Sequence, residues 1–494
     1  MSKNKWTIIP FIIIASLILA LIFFFTLHKP LAPVEPLKAI PINASLVIKV
    51  NRYNAFFEKT SGSSALWNEL KHIPGFGKID RQMRFLDSIF RFVPDAGQIL
   101  KNTPSFISAH FTGRDNISFM HVFQLPPRFN ENKVRDLISG FTVNAGTMST
   151  RDYEGVSIYE VTLLNESLIS NFSWAVTHDI LLISFSTIVL EDAIRQVMAG
   201  ESLADLDGFS EIYATAGKNV DANVFVNFQQ FPRSLSTFVR PDFKAEIRSF
   251  KSFARWAEMD VNLLSDMLLM NGFVNPPDSV ASIASIFVNQ SPQRITADEI
   301  LPGSVASFLT VTFSDAGQYF NDYRAYLQEQ GKLTAWKNTL QSLTGAYNTD
   351  FLQEFTDILD NEITLALDAS NQDMQQAAMF FLMRVKSGAQ AEEKLNDITA
   401  KIAASEAKSP AVYRSDFRFD SELTFRIHYW PVRKLTAKIF GDLFAGIDEH
   451  YFVIIDNYLV FSSSPGALRS LIRNQVLNKT LQNDFAYKDF KNNL

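Results

Sequence analysis

The chain has 494 residues, no cysteine and a formal net charge of −6. The missing thiol excludes disulfides, thiolate metal sites, cysteine nucleophiles and lipid attachment to cysteine, and the mildly acidic balance gives no reason to expect a nucleic-acid partner. Phenylalanine is over-represented, with 44 residues against 13 tyrosines and 6 tryptophans; a Phe-packed core is the ordinary explanation, and a Phe-lined pocket for an apolar ligand is the alternative.

Residues 1–5 are basic (Lys3, Lys5), and Trp6 to Leu27 carry no charge. As a helix rising about 1.5 Å per residue, this run spans roughly 33 Å, enough to cross a hydrocarbon core of about 30 Å. It exceeds the apolar stretch of about 7–15 residues in a cleavable signal peptide, and His28-Lys29-Pro30-Leu31-Ala32-Pro33 has no A-x-A cleavage pattern. A retained signal anchor over 6–27 is expected, so the lipid bilayer is one partner through Trp6–Leu27. Lys3 and Lys5, opposed by Lys29, lean toward a cytoplasmic N-terminus. Residues 28–39 are proline-rich and read as a spacer.

From residue 40 the chain repeats itself. Ile40-Pro41-Ile42-Asn43-Ala44-Ser45-Leu46-Val47-Ile48-Lys49-Val50 aligns without gaps on Leu301-Pro302-Gly303-Ser304-Val305-Ala306-Ser307-Phe308-Leu309-Thr310-Val311, each a turn and strand ahead of a helix (Tyr53–Glu58 and Gly317–Gln328). Helix Asn132–Phe141 matches Glu393–Ile402, after β-rich stretches at Asn116–Leu125 and Ala377–Val385. The third match is Trp174–Ser186 with Phe452–Ser464: two apolar strands around a polar turn, His178-Asp179 or Asp456-Asn457. Ser186 and Ser464 are N-cap candidates for the helices Ile188–Met198 and Gly466–Asn474.

The expected fold class is α+β: a duplicated unit of mostly antiparallel sheet with helices packed on one face, preceded by one transmembrane helix. Residues 40–218 form the first unit. Residues 219–299 complete it with additional strands (Asn223–Phe228, a Trp256–Val274 hairpin and Val280–Asn289) and an amphipathic helix. Residues 300–494 form the second unit, which lacks counterparts of those additions and reads as incomplete at its C-terminus.

No Gly-rich phosphate loop, H-E-x-x-H, G-x-S-x-G or EF-hand loop occurs, so no enzyme activity, cofactor, metal site or catalytic residue is assigned. His178-Asp179 has the composition of an acid–base dyad, yet its duplicate is Asp456-Asn457, which reduces the shared feature to a polar turn. Glu354, Asp357, Asp360 and Glu362 resemble a cation site but have the spacing of a solvated helix face. One segment has a more specific pattern: Arg240, Lys244, Arg248, Lys251 and Arg255 recur at helical spacing beside Phe243, Ile247, Phe250 and Phe253. Such a stripe suits contact with a membrane or an acidic partner, or else is the solvated face of a helix docked through its aromatics.

With the anchor, the proline-rich spacer, the Ile40–Val50 strand, Ser61–Leu66 and the Trp174–Ser186 hairpin, the chain resembles an uncharacterised family of N-terminally anchored envelope proteins of Bacteroidota, a domain of unknown function. The resemblance implies a bacterial inner-membrane protein, single-pass, with its C-terminal domain in the periplasm; it supplies no reaction and no site residue. The expected function is a non-enzymatic binding or scaffold module of the envelope, engaging another envelope protein or lipid. The alternatives are a carrier of lipid or another apolar ligand in a Phe-rich cavity, and an envelope hydrolase with an unrecognised site.

Overall fold

A computed structural model of the protein describes residues 35–61, 64–91, 103–113, 116–127, 129–143, 145–164, 169–239, 244–277, 282–369 and 377–493. The expected membrane span Trp6–Leu27 lies outside them; among the described residues no helix is long and apolar enough to cross a membrane. The chain is a mixed α+β protein that divides into two compact units, one comprising the described residues up to Lys251 with Arg255–Asn275, the other Ser252–Ala254 with Pro276 onward.

The first unit opens with a 3-10 turn, Pro36–Ala39, in the stretch expected to be extended spacer; Leu37 and Ala39 are buried, and Gln196 Nε2 donates to the Lys38 carbonyl at 3.0 Å. There follow β1 (Leu46–Val50), α1 (Tyr53–Ser61), α2 (Ala65–Leu70), α3 (Pro74–Arg91), β2 (Ser105–Gly113), β3 (Asn116–Gln124) and α4 (Glu131–Thr142). Next come β4 (Gly146–Tyr153), β5 (Val156–Leu163), β6 (Asn171–Thr177), β7 (Ile180–Ser184), α5 (Thr187–Ala199) and α6 (Phe209–Ala214). The unit ends with β8 (Ala222–Asn227), α7 (Phe231–Leu235), α8 (Lys244–Ser249), β9 (Trp256–Leu263) and β10 (Leu268–Asn275). Its ten strands form one sheet in the order β10-β9-β8-β1-β2-β3-β7-β6-β5-β4, with every pairing antiparallel.

The second unit runs β11 (Val305–Thr312), α9 (Ala316–Glu329), α10 (Leu333–Tyr347), α11 (Phe351–Ile358), β12 (Leu359–Asp368), β13 (Ala378–Val385) and α12 (Gly388–Ser405). It continues with β14 (Arg414–Arg418), β15 (Thr424–Tyr429), α13 (Leu435–Phe440), β16 (Tyr451–Ile455), β17 (Tyr458–Ser462), α14 (Pro465–Val476) and α15 (Phe485–Asn493). Its antiparallel sheet has the order β11-β12-β13-β17-β16-β15-β14. Read from β1, the first sheet runs in the same sequence of elements, and it alone carries β8, β9 and β10 beyond that strand.

The helices cover both faces of each sheet, not one as expected. Central strands such as β3 and β7 are buried along nearly their whole length, so apolar side chains on both sides need cover. In the first unit Val50 and Phe123 pack with α1, α3 and α4, while Val47 and Val122 pack with α5 and α6. The second unit repeats this with Phe381 and Met383 on one face and Phe380 and Leu382 on the other. The phenylalanines fill these cores in edge-to-face clusters, for example Phe85 with Phe172 and Phe381 with Phe444.

Two local expectations also change. Val280–Asn289, read as a strand, contains a 3-10 turn at Ala284–Phe287; the Ser282 hydroxyl accepts from the Ser285 amide at 3.1 Å, bending the chain, and Ile286 joins the second unit's core. Ser186 sits at the N-cap of α5 without a side-chain capping bond, and its own amide donates to Ser184 Oγ at 3.1 Å. Ser464 Oγ does accept from the Gly466 amide, at 3.2 Å.

Candidate functional site

The first unit contains a cavity of about 390 Å³, and the residues that make it follow from strand periodicity. Alternate side chains of a strand share a face. Leu46 and Ile48 of β1, Ile107 and Ala109 of β2, and Val224 and Val226 of β8 therefore present one continuous apolar floor, which Met259 of β9 and Met270 of β10 extend. The strands that have no counterpart in the second sheet thus build half of this floor.

The opposite wall is helical and aromatic. Phe56 of α1 meets Trp67 of α2 edge-on at 6.3 Å between centroids, and Trp67 meets Phe76 of α3 at 6.0 Å. Trp67 is fixed by its indole N–H, which donates to Asp80 at 2.9 Å; Asp80 also accepts from Arg84 at 2.8 Å. Burial opposes the charge on Asp80, but the hydrogen bonds from Arg84 and Trp67 outweigh it and hold the carboxyl below its usual range. Phe231 and Leu235 of α7, with Phe238 just beyond, close a third side. Ile73, Phe76, Phe238 and Met270 line the cavity and are also exposed (47, 37, 43 and 41 %), so it reaches the surface there. A Cβ at Gly75 would stand 3.4 Å from the Phe238 ring, so ring and helix start already touch across this mouth.

The lining is almost wholly apolar. Ser45 Oγ is engaged by the Ala109 carbonyl at 2.9 Å. Ser234 is 4 % exposed, and its hydroxyl has no partner among the described residues. An apolar space of this size is able to hold an apolar molecule, since a cavity of about 150 Å³ lined by Leu, Ile and Phe already accommodates benzene; here the volume is more than twice that.

The basic stripe does not form one helix. Arg240 lies outside the described residues; Lys244 and Arg248 are on α8, and Lys251 is in the 3-10 turn Phe250–Ser252 that ends it. Arg255 has left the helix: its amide bonds the Asn275 carbonyl at 3.1 Å in the β9–β10 ladder, and its guanidinium pairs with Asp207. Arg248 and Lys251 are exposed, and α8 packs on α7, an element of the cavity wall.

The acidic group splits. Glu354 and Asp357 both pair with Lys394, at 2.7 and 2.8 Å, and Asp360 pairs with Arg384 at 3.1 Å. Glu362, expected on a solvated helix face, is fully buried in β12, where it accepts from the Thr296 and Ala297 amides at 2.8 and 2.9 Å. Among the described residues no group of three or more His, Asp or Glu is placed to hold a metal. His178 and Asp179 occupy the β6–β7 turn with φ of 49° and 60°, and the Asp179 carbonyl accepts from the Leu125 amide at 2.8 Å. The equivalent Asn457 carbonyl accepts from Val385 at 2.8 Å, so the two turns share a structural bond.

The cavity residues escape sequence reading because an alternating apolar strand looks the same over a packed core and over a void. The available signals were the phenylalanine excess and the extra strands of the first unit. A family model described as protein of unknown function (DUF3352) matches residues 128–409. No curated protein and no solved structure matches the chain. The matched segment runs from just before α4 to just beyond α12 and takes in more than half of the sequence, so the chain belongs to the DUF3352 family.

Proposed function

We propose that the protein is a non-enzymatic binding module that carries an apolar ligand, of the acyl-chain class, in the cavity of its first unit. The observation that carries this reading is the 390 Å³ space lined by apolar side chains and open to the surface between Ile73, Phe76 and Phe238. Each methylene removed from water contributes about 0.8 kcal/mol, so about ten of them supply roughly 8 kcal/mol before the cost of association. The uncharged run Trp6–Leu27 supports a bacterial inner-membrane location with the folded units in the periplasm, where lipid is the apolar ligand at hand. The hydrolase alternative lacks support, because the cavity wall offers no acid, base or nucleophile pair.

Mass spectrometry of the gently extracted protein, together with titration by a fluorescent fatty acid, tests the proposal. Bound lipid and saturable fatty-acid uptake are expected. Val224→Trp, which fills the cavity from its floor, should weaken uptake at least tenfold while leaving the melting temperature equal or higher. Uptake unchanged in a folded Val224→Trp protein would mean that the cavity is not the binding site.

A further inference from the structure

The cavity mouth has a chemistry of its own. Its rim residues Ile73, Phe76 and Phe238 are apolar side chains left in solvent at the entrance to an apolar space. Cations flank them on two sides. On one side, the α2–α3 turn forms a polar cleft with Lys71, His72, Arg81 and Arg84, whose one carboxylate, Asp80, is already bonded to Trp67 and Arg84. On the other side, α7, α8 and the 3-10 turn Phe250–Ser252 carry the cations Arg233, Lys244, Arg248 and Lys251 and one acid, Glu246. Of these, Arg233, Arg248 and Lys251 are exposed, and so is Phe250 (39 %).

We propose that this mouth docks on an anionic phospholipid bilayer, the rim side chains entering the interfacial layer while the two basic groups engage headgroup phosphates, so that a ligand passes between bilayer and cavity without crossing water. The inference rests on the cavity being a ligand site. The occupant follows from charge and polarity together. Cations near an anionic surface contribute about 1 kcal/mol each, and apolar side chains such as Phe beside a basic face bury at the boundary between headgroups and acyl chains. An acidic protein partner would match the charge but would leave the cavity entrance without its ligand source.

The absence of cysteine makes single labels straightforward. The full chain carrying Phe238→Cys or, separately, Ile73→Cys, each with an environment-sensitive fluorophore, is reconstituted in vesicles of phosphatidylcholine with or without phosphatidylglycerol. The expected result is a blue shift and quenching by brominated acyl chains only when phosphatidylglycerol is present, reversed by high salt and abolished in Lys71→Glu/Arg81→Glu/Arg248→Glu/Lys251→Glu. A label at Leu477→Cys, exposed in the second unit, should not respond. Equal signals in the neutral and anionic vesicles, or none at either rim position, overturn docking. Fatty-acid uptake by the unlabelled parent chain separates the two ideas: uptake without rim insertion removes docking and leaves the cavity reading intact, and insertion without uptake removes the cavity reading.

Discussion

Glu258 shows how much a single buried carboxyl is able to govern. It lies on β9 with no exposed surface, beside Asp260, whose Oδ1 accepts from Asn223 at 2.6 Å and from the Gly217 amide at 2.8 Å. Burial, then the neighbouring Asp260, pushes its pKa up to about 7. In the unfolded chain a glutamate titrates near 4.3. Between about 4.3 and 7 the folded state therefore holds a proton that the unfolded state has released. The associated stability is fully present below that window and is lost as pH rises through it, at up to about 1.4 kcal/mol per pH unit. Glu258→Gln should flatten the dependence and raise the urea midpoint of the first unit at pH 8 relative to the parent, with little gain at pH 4.5. An identical shift at both pH values would show that ionisation of Glu258 is not the cause. None of this is legible in Trp256-Ala257-Glu258-Met259-Asp260-Val261, because alternation puts Glu258 and Asp260 on one strand face without saying whether water or a helix covers it. The same blindness hid the burial of Glu362.

Elements with their own local chemistry were readable, and those shaped by tertiary cover were not. The β6–β7 and β16–β17 hairpins are found where the apolar pairs around His178-Asp179 and Asp456-Asn457 place them, since Asx residues tolerate the left-handed turn. The helical pattern that runs to Arg255 is cut short because Arg255 is drawn, with Trp256, into the ladder with β10. Close approach between elements is likewise silent in sequence. Gly388 opens α12 directly against the β16–β17 turn: its amide donates to Asn457 Oδ1 at 3.0 Å, and a Cβ there would stand 2.1 Å from the Asp456 carbonyl oxygen. At this first helical position alanine's advantage as a helix former is smaller than the roughly 1 kcal/mol of a helix interior, and it meets an overlap with backbone that typically costs about 1–3 kcal/mol or more. Gly388→Ala should therefore lower the melting temperature of the second unit, and an unchanged or raised value would mean that the turn moves aside freely.

At the scale of the molecule, the duplication yields two sheets with a common strand order and separate cores on both faces of each, so perturbations should be felt by unit. The three added strands build part of the first unit's cavity, and a ligand that binds only the folded state stabilises it by about 2.7 kcal/mol at a hundred times its dissociation constant. In the second unit, Glu362→Ala would strand two buried amides, at about 1–3 kcal/mol each. Hydrogen exchange read by mass spectrometry distinguishes the two effects. Fatty acid at saturating concentration should slow exchange in β1, β8 and β9 and leave β12 and β13 unchanged, whereas Glu362→Ala should speed exchange in β12, β13 and the 297–299 turn and leave the first unit's protection as it was. Protection by the fatty acid spread evenly over both sheets would contradict a ligand site confined to the first unit, and a first unit loosened by Glu362→Ala would contradict two separately closed cores.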